Sequence, residues 1–187
     1  MKKYIYLSFV FLFFFSFQSC EEKYEPGGTA VQDMAGDWWV TNQQSIDEFF
    51  YLFYDEGEMP DEADIENWNW DYIYDDSHSH IFTYNTAANV STEMFVEDGG
   101  SFWDYKVKAK VDYSAKTFEV SETANLAYDD CDVTIIKGKI MKGAATSPSG
   151  TPVDSIVFYV KFNDDPYGFT YTKVSGFRKT GFPEDDF

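Results

Sequence analysis

Hydrophobic and polar residues alternate with a period of two along most of the chain beyond residue 36. In the clearest run, Tyr105, Val107, Ala109, Val111 and Tyr113 face one way, while three lysines and an aspartate face the other. A strand with this pattern buries one face and exposes the other, as in antiparallel sheets. Turn residues separate eight such runs, which we predict to be strands: GDWWVTNQQ, SHIFTYNT, TEMFVED, FWDYKVKAKVDY, KTFEVSET, CDVTIIKGKIMK, DSIVFYVKFN and YGFTYTKVSGFRKT.

These runs occur without a sustained helical period and without the strand-helix alternation of parallel sheets. They therefore predict an all-β fold, either a sandwich or a barrel. We favour a single antiparallel β-barrel of about eight strands, because closing the sheet removes its exposed edges. The barrel domain is predicted to span residues 36–187.

Residues 47–79 do not follow this pattern and are predicted to be a long insertion after the first strand. The segment is rich in acidic and aromatic residues, has no lysine or arginine, and contains Pro60 near its middle. We expect a short strand through 49–53 and a solvated acidic loop over the remainder. The alternative is a lid or a recognition surface, because aromatic rings among carboxylates suit sugars or calcium.

The N-terminus has the pattern of an export signal. Lys2 and Lys3 precede an apolar run of about 14 residues, which ends shortly before Cys20. That run is shorter than the ~20 residues of a spanning helix. The sequence around Cys20 resembles the lipobox of bacterial lipoproteins, in which the cysteine is acylated after cleavage. We predict a signal peptide at 1–19 and a lipidated acidic tether at 20–35, with ordinary secretion or a retained anchor as alternatives.

Charge limits the partners of the chain. The formal net charge is −19 at pH 7, and removal of residues 1–19 leaves 12 basic against 33 acidic residues, or −21. Such a chain repels nucleic acid and anionic lipid head groups. We therefore expect no nucleic-acid partner, and we expect membrane contact through acyl chains instead of a basic surface.

Candidate catalytic residues are few. The two histidines, His78 and His80, could be oriented by Asp75 or Asp76, but the chain has no Gly-x-Ser-x-Gly motif. A zinc site built from both histidines and Asp76 lacks the usual ligand spacing. Cys131 stands among aspartates that raise a thiol pKa. We predict no catalytic set, no metal and no cofactor, and we interpret both histidines as surface residues.

Two short stretches indicate how the barrel closes. GDWW opens the first predicted strand, and SGFRKTG ends the last one. They resemble the Gly-x-Trp start and the late arginine of lipocalin-like barrels, in which the arginine stacks on the tryptophan. By this resemblance Gly36, Trp38 and Arg178 close one end of the barrel, with a cation–π contact of about 0.5 to 2 kcal/mol.

A wider resemblance covers nearly all of the mature chain. The blocks YEPGGTAVQDMAGDWWV, TYNTAANVSTEMFV, FWDYKVKAKVDY, KGAATSPSGTPVDSIVFYV and GFTYTKVSGFRKTGF resemble a Bacteroides-type lipoprotein family labelled lipid-binding putative hydrolase. The resemblance implies an exported lipoprotein with a calycin-like barrel. The glutamates after Cys20 are similar to the signal that directs such lipoproteins to the outer membrane and the cell surface. Asp154-Ser155-Ile156 resembles an O-glycosylation acceptor, with Ser155 modified, although a serine entering a strand explains it equally well.

We therefore predict a lipid-anchored protein that holds a small hydrophobic ligand or lipid in its barrel. The residues expected to line the ligand, which could equally be plain core, are Tyr105, Val107, Ala109, Val111, Ile156, Phe158 and Val160. An acyl-ester hydrolase using His80 is one alternative. An accessory surface protein, binding glycans or a partner lipoprotein through the insertion, is the other.

Overall fold

The structure of the chain is a computed structural model that describes residues 27–187. The predicted signal peptide, Cys20 and the tether up to residue 26 lie outside the described residues. The strands and helices, in chain order, are β1 (Gly36–Ser45), α1 (Ile46–Tyr54), a 3₁₀ helix (Glu62–Asn67), β2 (Trp70–Asp71), β3 (Ser79–Asn85), β4 (Glu93–Asp98), β5 (Tyr105–Asp112), β6 (Thr117–Ala124), β7 (Asp132–Thr146), β8 (Pro152–Phe162), β9 (Thr172–Arg178) and a second 3₁₀ helix (Pro183–Asp185).

The sheet closes into a barrel of eight antiparallel strands, as predicted. Strands β1 and β3 to β9 follow one another around the barrel, and β9 pairs back onto β1. The closing ladder runs from Trp38 opposite Arg178 to Gln44 opposite Thr172. The short strand β2 adds two residue pairs to the end of β1.

The alternation along β5 sets the inner and outer faces of the barrel. Tyr105, Val107 and Ala109 are buried inside, while Lys108 and Lys110 are exposed on the outer face. Equivalent inward positions of the other strands pack into one hydrophobic cluster that includes Trp38, Val40, Ile81, Met94, Val96, Phe118, Ile135, Ile156, Phe158 and Val174. The interior is therefore a packed core along most of its length.

The two ends of the barrel differ in their connections. One end, here called the mouth, carries the four segments 46–78, 99–104, 125–131 and 163–171. The opposite end, here called the floor, carries the short connections 86–92, 113–116 and 147–151 and the N-terminal segment 29–35. Val31 and Met34 of that segment are fully buried in the core, so the described chain enters the barrel through its floor.

Arg178 and Trp38 meet at the floor. The guanidinium carbon of Arg178 lies 4.9 Å from the centroid of the Trp38 ring, and Arg178 Nη2 donates to the carbonyl of Asp33 at 3.4 Å. Arg178 Nε is 3.2 Å from the Asp154 carboxylate, which is within ion-pair distance but not aligned as a hydrogen bond. The indole of Trp38 donates to Thr83 Oγ1 at 2.8 Å.

Gly36 permits the Trp38 ring to lie flat against the chain. A Cβ atom at residue 36 would stand about 3.0 Å from a carbon of that ring, closer than ordinary van der Waals contact. The Gly-x-Trp spacing therefore has a steric reason at this position.

The predicted strand through 49–53 is wrong, because these residues lie in helix α1. Ser45 caps the helix, with its hydroxyl accepting from the amide of Glu48 at 3.2 Å. Asp47 and Glu48 in the first turn interact favourably with the helix dipole, and Asp55 ends the helix in a left-handed conformation with φ 56°. Among residues 27–187, no helix is long and apolar enough to cross a membrane.

The second half of the insertion packs against the outer wall instead of forming a solvated loop throughout. Ile65 and Trp68 are buried there against Tyr159 and Tyr171. Trp70 extends this contact, with its ring centroid 5.4 Å from that of Tyr159. The phenol of Tyr171 donates to Glu62, and burial together with the Glu62 charge raises the pKa of Tyr171 to about 12.

We predict that Arg178→Gln lowers the free energy of unfolding by about 1 to 3 kcal/mol, because it removes the cation–π contact and leaves Asp154 with one cation fewer. Lys110→Gln is the matched control, since it breaks an exposed ion pair worth at most about 1 kcal/mol. Urea unfolding of both variants measures the difference. Equal losses would show that the floor contact does not stabilise closure.

Candidate functional site

Aromatic side chains from three mouth segments and from the adjoining ends of β5 and β8 form a continuous file that leads from the surface into the barrel. We call this set the aromatic file. Its successive ring centroids are separated by 6.2 Å for Phe53–Phe169, 5.5 Å for Phe169–Tyr74, 6.1 Å for Tyr74–Phe102, 6.1 Å for Phe102–Trp103, 4.7 Å for Trp103–Phe162 and 5.3 Å for Phe162–Tyr105. These spacings lie within the range of favourable aromatic pairs.

The outer end of the file is exposed. Phe50, Phe53 and Tyr54 of helix α1 are 43%, 46% and 59% exposed, and Tyr167 of the β8–β9 connection is 54% exposed. We call these four residues the aromatic rim. Large apolar side chains that cluster on a surface commonly mark a binding site. The rim is therefore the first part of the candidate site.

The inner end of the file is Tyr105, which is 1% exposed. Its phenol oxygen has no hydrogen-bond partner among the described residues, and burial raises its pKa well above the usual value. Above it, the Trp103 ring stacks on Phe162 with an interplanar angle of 7°. The Trp103 indole donates to the Tyr128 hydroxyl at 3.0 Å, which donates to Asp164 at 2.7 Å.

Glu48 is a second buried polar group at the mouth. It is fully buried, and its Oε1 accepts from the backbone amide of Thr170 at 2.9 Å. Its Oε2 has no partner among the described residues. Burial raises the pKa of this carboxyl, because the charged form loses its hydration.

Gln44 and Tyr74 tie the mouth segments to the barrel. Gln44 Oε1 accepts from the amides of Ile73 and Tyr74 at 3.3 and 3.2 Å. The Tyr74 hydroxyl in turn donates to the Asp165 carboxylate at 3.1 Å. Burial and the Asp165 charge raise the Tyr74 pKa far above neutrality, so the phenol stays protonated and keeps donating.

The mouth is strongly acidic. Besides the many other carboxyl groups of segment 46–78, it carries those of Glu48, Asp98, Asp104, Asp129, Asp130, Asp164 and Asp165. Asp98 is 1% exposed and accepts from the amides of Ser101, Phe102 and Trp103 at 2.8 to 3.0 Å. Burial nevertheless raises the Asp98 pKa, because desolvation outweighs these three hydrogen bonds. Both Glu48 and Asp98 therefore resist carrying charge more than an exposed carboxyl does.

The predicted lining residues below Tyr105 belong to the packed core. Val107, Val111, Ile156, Phe158 and Val160 are 7% exposed or less and lie in the same hydrophobic cluster. Their role as ligand contacts stays a prediction. Tyr105 differs from them, because it lies at the mouth and carries an unpartnered polar atom.

His80 lies on the outer wall of the barrel. Its Nδ1 is 3.0 Å from Asp37 Oδ1, so its carboxylate partner is neither Asp75 nor Asp76, the two candidates in the sequence. Its ring packs on Trp39 with centroids 3.8 Å apart. The Ser101 hydroxyl contacts the backbone amide of His80, not the ring, at 3.3 Å. This arrangement brings no serine to the imidazole in the described part of the chain.

His78 stacks on the C-terminal Phe187, with ring centroids 3.6 Å apart. Burial by this contact lowers the His78 pKa. The two histidines thus have different partners, and residues 27–187 contain no group of three His, Cys, Asp or Glu side chains that could hold a metal.

Cys131 and Ser155 are both poorly accessible. Cys131 is 3% exposed and lies 3.2 Å from Asp164, and its thiol pKa is raised mainly by burial. The Ser155 hydroxyl oxygen is inaccessible to solvent and has no partner among the described residues. Glycosylation of Ser155 stays a prediction that requires modification before the barrel closes.

A groove of about 560 Å³ lies elsewhere, on the outer wall formed by β5, β6 and β7. Its charged residues largely pair with one another, with Lys137 at 3.0 Å from Glu66 and Lys110 at 2.9 Å from Glu119. The groove lacks the unpartnered buried polar atoms and the exposed rings found at the mouth. We therefore place the candidate site at the mouth.

Sequence reasoning missed Glu48, Gln44 and Tyr74. The segment Ser45-Ile46-Asp47-Glu48 has the Ser-x-x-Glu spacing of a helix N-terminus and could have predicted α1. Nothing local could have predicted that Glu48 contacts Thr170, which is 122 residues away. The aromatic file likewise joins separate segments of the sequence.

Among known protein families, the model of the family described as lipid-binding putative hydrolase matches residues 23–183. The comparison with curated proteins finds no match.

The raised pKa of Glu48 predicts a pH-dependent stability difference between the wild type and Glu48→Gln. Below the ordinary glutamate pKa both side chains are neutral. As pH rises from there through the raised folded pKa, the wild type should lose stability relative to the variant, because the folded state binds the proton more tightly. Above that window the difference should stay constant.

Urea unfolding at a series of pH values measures this difference, and Asp47→Asn controls for loss of a charge from an exposed carboxyl in the same helical turn. A wild type that gains stability relative to Glu48→Gln over this pH range would contradict the prediction.

Proposed function

The chain belongs to the family of lipid-binding putative hydrolases, and we propose that it is an exported, lipid-anchored protein that binds one small lipid or other hydrophobic ligand at the mouth of its barrel. The observation that carries this proposal is the aromatic file. Its successive ring contacts connect the exposed rim with the buried Tyr105.

The apolar rings of the aromatic file provide favourable contacts for an acyl chain. Each methylene that leaves water contributes about 0.8 kcal/mol, and flat aromatic rings provide contact area without much loss of side-chain entropy. The packed core below Tyr105 limits how deep a ligand reaches. The site therefore favours one short or partly inserted chain, held between the rim and the top of the core.

The anchor and the site lie at opposite ends of the barrel in this proposal. The described chain enters through the floor, where Val31 and Met34 are buried. The nine residue steps from Cys20 to Thr29 span at most about 30 Å when fully extended. A barrel tethered at its floor turns its mouth away from the membrane that anchors it. We place that membrane at the outer surface of the cell, on the evidence of the signal sequence and the acidic tether.

The alternatives have less support. The pair His80–Asp37 is the feature that bears on hydrolysis, and it lies on the outer wall, whereas the aromatic file begins at the mouth. A surface protein that binds glycans would also use the rim, since three rim residues belong to the insertion. Lipid binding agrees with both the family and the buried end of the file.

We predict that Phe53→Ser and Tyr167→Ser each weaken binding of a fluorescent lipid roughly 5- to 30-fold, which corresponds to about 1 to 2 kcal/mol of lost aromatic contact. Phe182→Ser is the matched control, because Phe182 is 50% exposed but follows β9 beyond the floor. Displacement titrations and native mass spectrometry of protein purified from its own host measure binding. Repeated absence of any bound apolar molecule, with no lipid displacement, would contradict the proposal.

We also predict that the mature protein partitions into detergent and releases an acylated Cys20 peptide. Two or three acyl chains hold the domain firmly, whereas one chain gives only weak attachment. Cys20→Ala should therefore leave a soluble or unprocessed chain, as measured by membrane fractionation. Protease shaving of intact cells tests surface display. If the Cys20→Ala protein stays in the membrane fraction as firmly as the wild type does, the uncleaved apolar segment is the anchor.

A further inference from the structure

Two buried polar atoms at the mouth lack hydrogen-bond partners among the described residues. They are the Tyr105 hydroxyl oxygen and Glu48 Oε2, on side chains that are 1% and 0% exposed. Buried polar groups in folded proteins are nearly always paired, so each such atom requires an explanation. Tyr105 ends the aromatic file, and Glu48 lies close enough to Tyr74 of that file for its charge to raise the Tyr74 pKa.

The chemistry of these two atoms restricts what a ligand can present. The Tyr105 hydroxyl can donate one hydrogen bond and accept others. Glu48 accepts at Oε2 when ionised and donates there when protonated, and burial raises its pKa. A ligand hydroxyl both donates and accepts, so it pairs with either atom in either state. A carboxylate only accepts, and an ammonium group only donates.

The charges at the mouth further restrict which ligand head group binds there. The carboxyl groups of Asp98 and Asp164 lie close to the inner part of the aromatic file. Asp98 accepts from the backbone amide of Trp103, and Asp164 accepts from the hydroxyl of Tyr128. Lys161 and Lys173, at the neighbouring strand ends, occupy outward positions of β8 and β9. The Lys161 charge reaches Glu48 and lowers its pKa, but it offsets only part of the effect of burial. An anionic head group would therefore meet negative charge, while a cationic one would lose its hydration at a site as buried as Tyr105.

We propose that the mouth selects lipids whose polar end is an uncharged hydroxyl group, as in a fatty alcohol or an acylglycerol, and discriminates against fatty-acid anions and alkylammonium ions of the same chain length. This inference rests on the proposed lipid-binding function and specifies its ligand class.

Equilibrium binding of three matched ligands tests the selectivity. The protein is purified from its host in processed form and held in amphipol, and amphipol without protein gives the background. Radiolabelled dodecanol, dodecanoate and dodecylammonium are titrated separately at pH 7.5. We expect dodecanol to bind at least tenfold more tightly than either charged ligand.

Two variants connect this selectivity to the unpartnered atoms. Tyr105→Phe removes only the hydroxyl and should weaken dodecanol binding about tenfold while leaving dodecanoate binding nearly unchanged. Glu48→Gln keeps the shape of the side chain but cannot form a carboxylate, so it should reduce the ratio of dodecanol affinity to dodecanoate affinity. Glu119→Gln is the control, because it removes one exposed carboxylate from the outer face of β6, near the floor, and should leave all three affinities unchanged.

The outcomes separate this inference from the function on which it rests. Saturable binding in which dodecanoate or dodecylammonium equals or exceeds dodecanol overturns the hydroxyl selectivity and leaves lipid binding standing. Selectivity for dodecanol that survives both Tyr105→Phe and Glu48→Gln overturns the assignment to these two atoms. If none of the three ligands binds saturably, both the proposed function and this inference fail.

Discussion

Pairing between β1 and β9 is the interaction on which the rest of the structure depends. Seven consecutive residue pairs, from Trp38 opposite Arg178 to Gln44 opposite Thr172, join the two ends of the sheet. Closure creates a barrel interior, and the side chains that point into this interior are the ones buried in every other strand. It also brings Arg178 onto Trp38, so that a single ladder both closes the wall and covers the floor.

The same strand creates the difference between the two ends. Inward positions of β1 change from Trp38 and Val40 near the floor to Asn42 and Gln44 near the mouth. The floor half can therefore pack as a dry core, while the mouth half must satisfy buried polar groups. Gln44 does so by holding two amides of the insertion. The polar mouth and its covering segments thus follow from one strand that is apolar at one end and polar at the other.

This arrangement suits a protein that binds an amphipathic molecule. Aromatic rings supply apolar contact from the surface inwards, and a few buried polar atoms restrict which head group fits. The packed floor half holds the mouth segments in place without having to accommodate the ligand. The chain belongs to a family described as lipid-binding, which agrees with an amphipathic ligand.

The sequence by itself determined the all-β class, the strand count and the faces of β5, because period-two alternation is a local property that survives in any antiparallel sheet. It also indicated Gly36, Trp38 and Arg178 at the floor. Tertiary structure alone decided the mouth, where Glu48 contacts Thr170 and Tyr74 contacts Asp165. It also decided the pairing of His80 with Asp37 on the outer wall. These contacts join residues 43 to 122 positions apart, so no local pattern encodes them, and only the folded sheet brings them together.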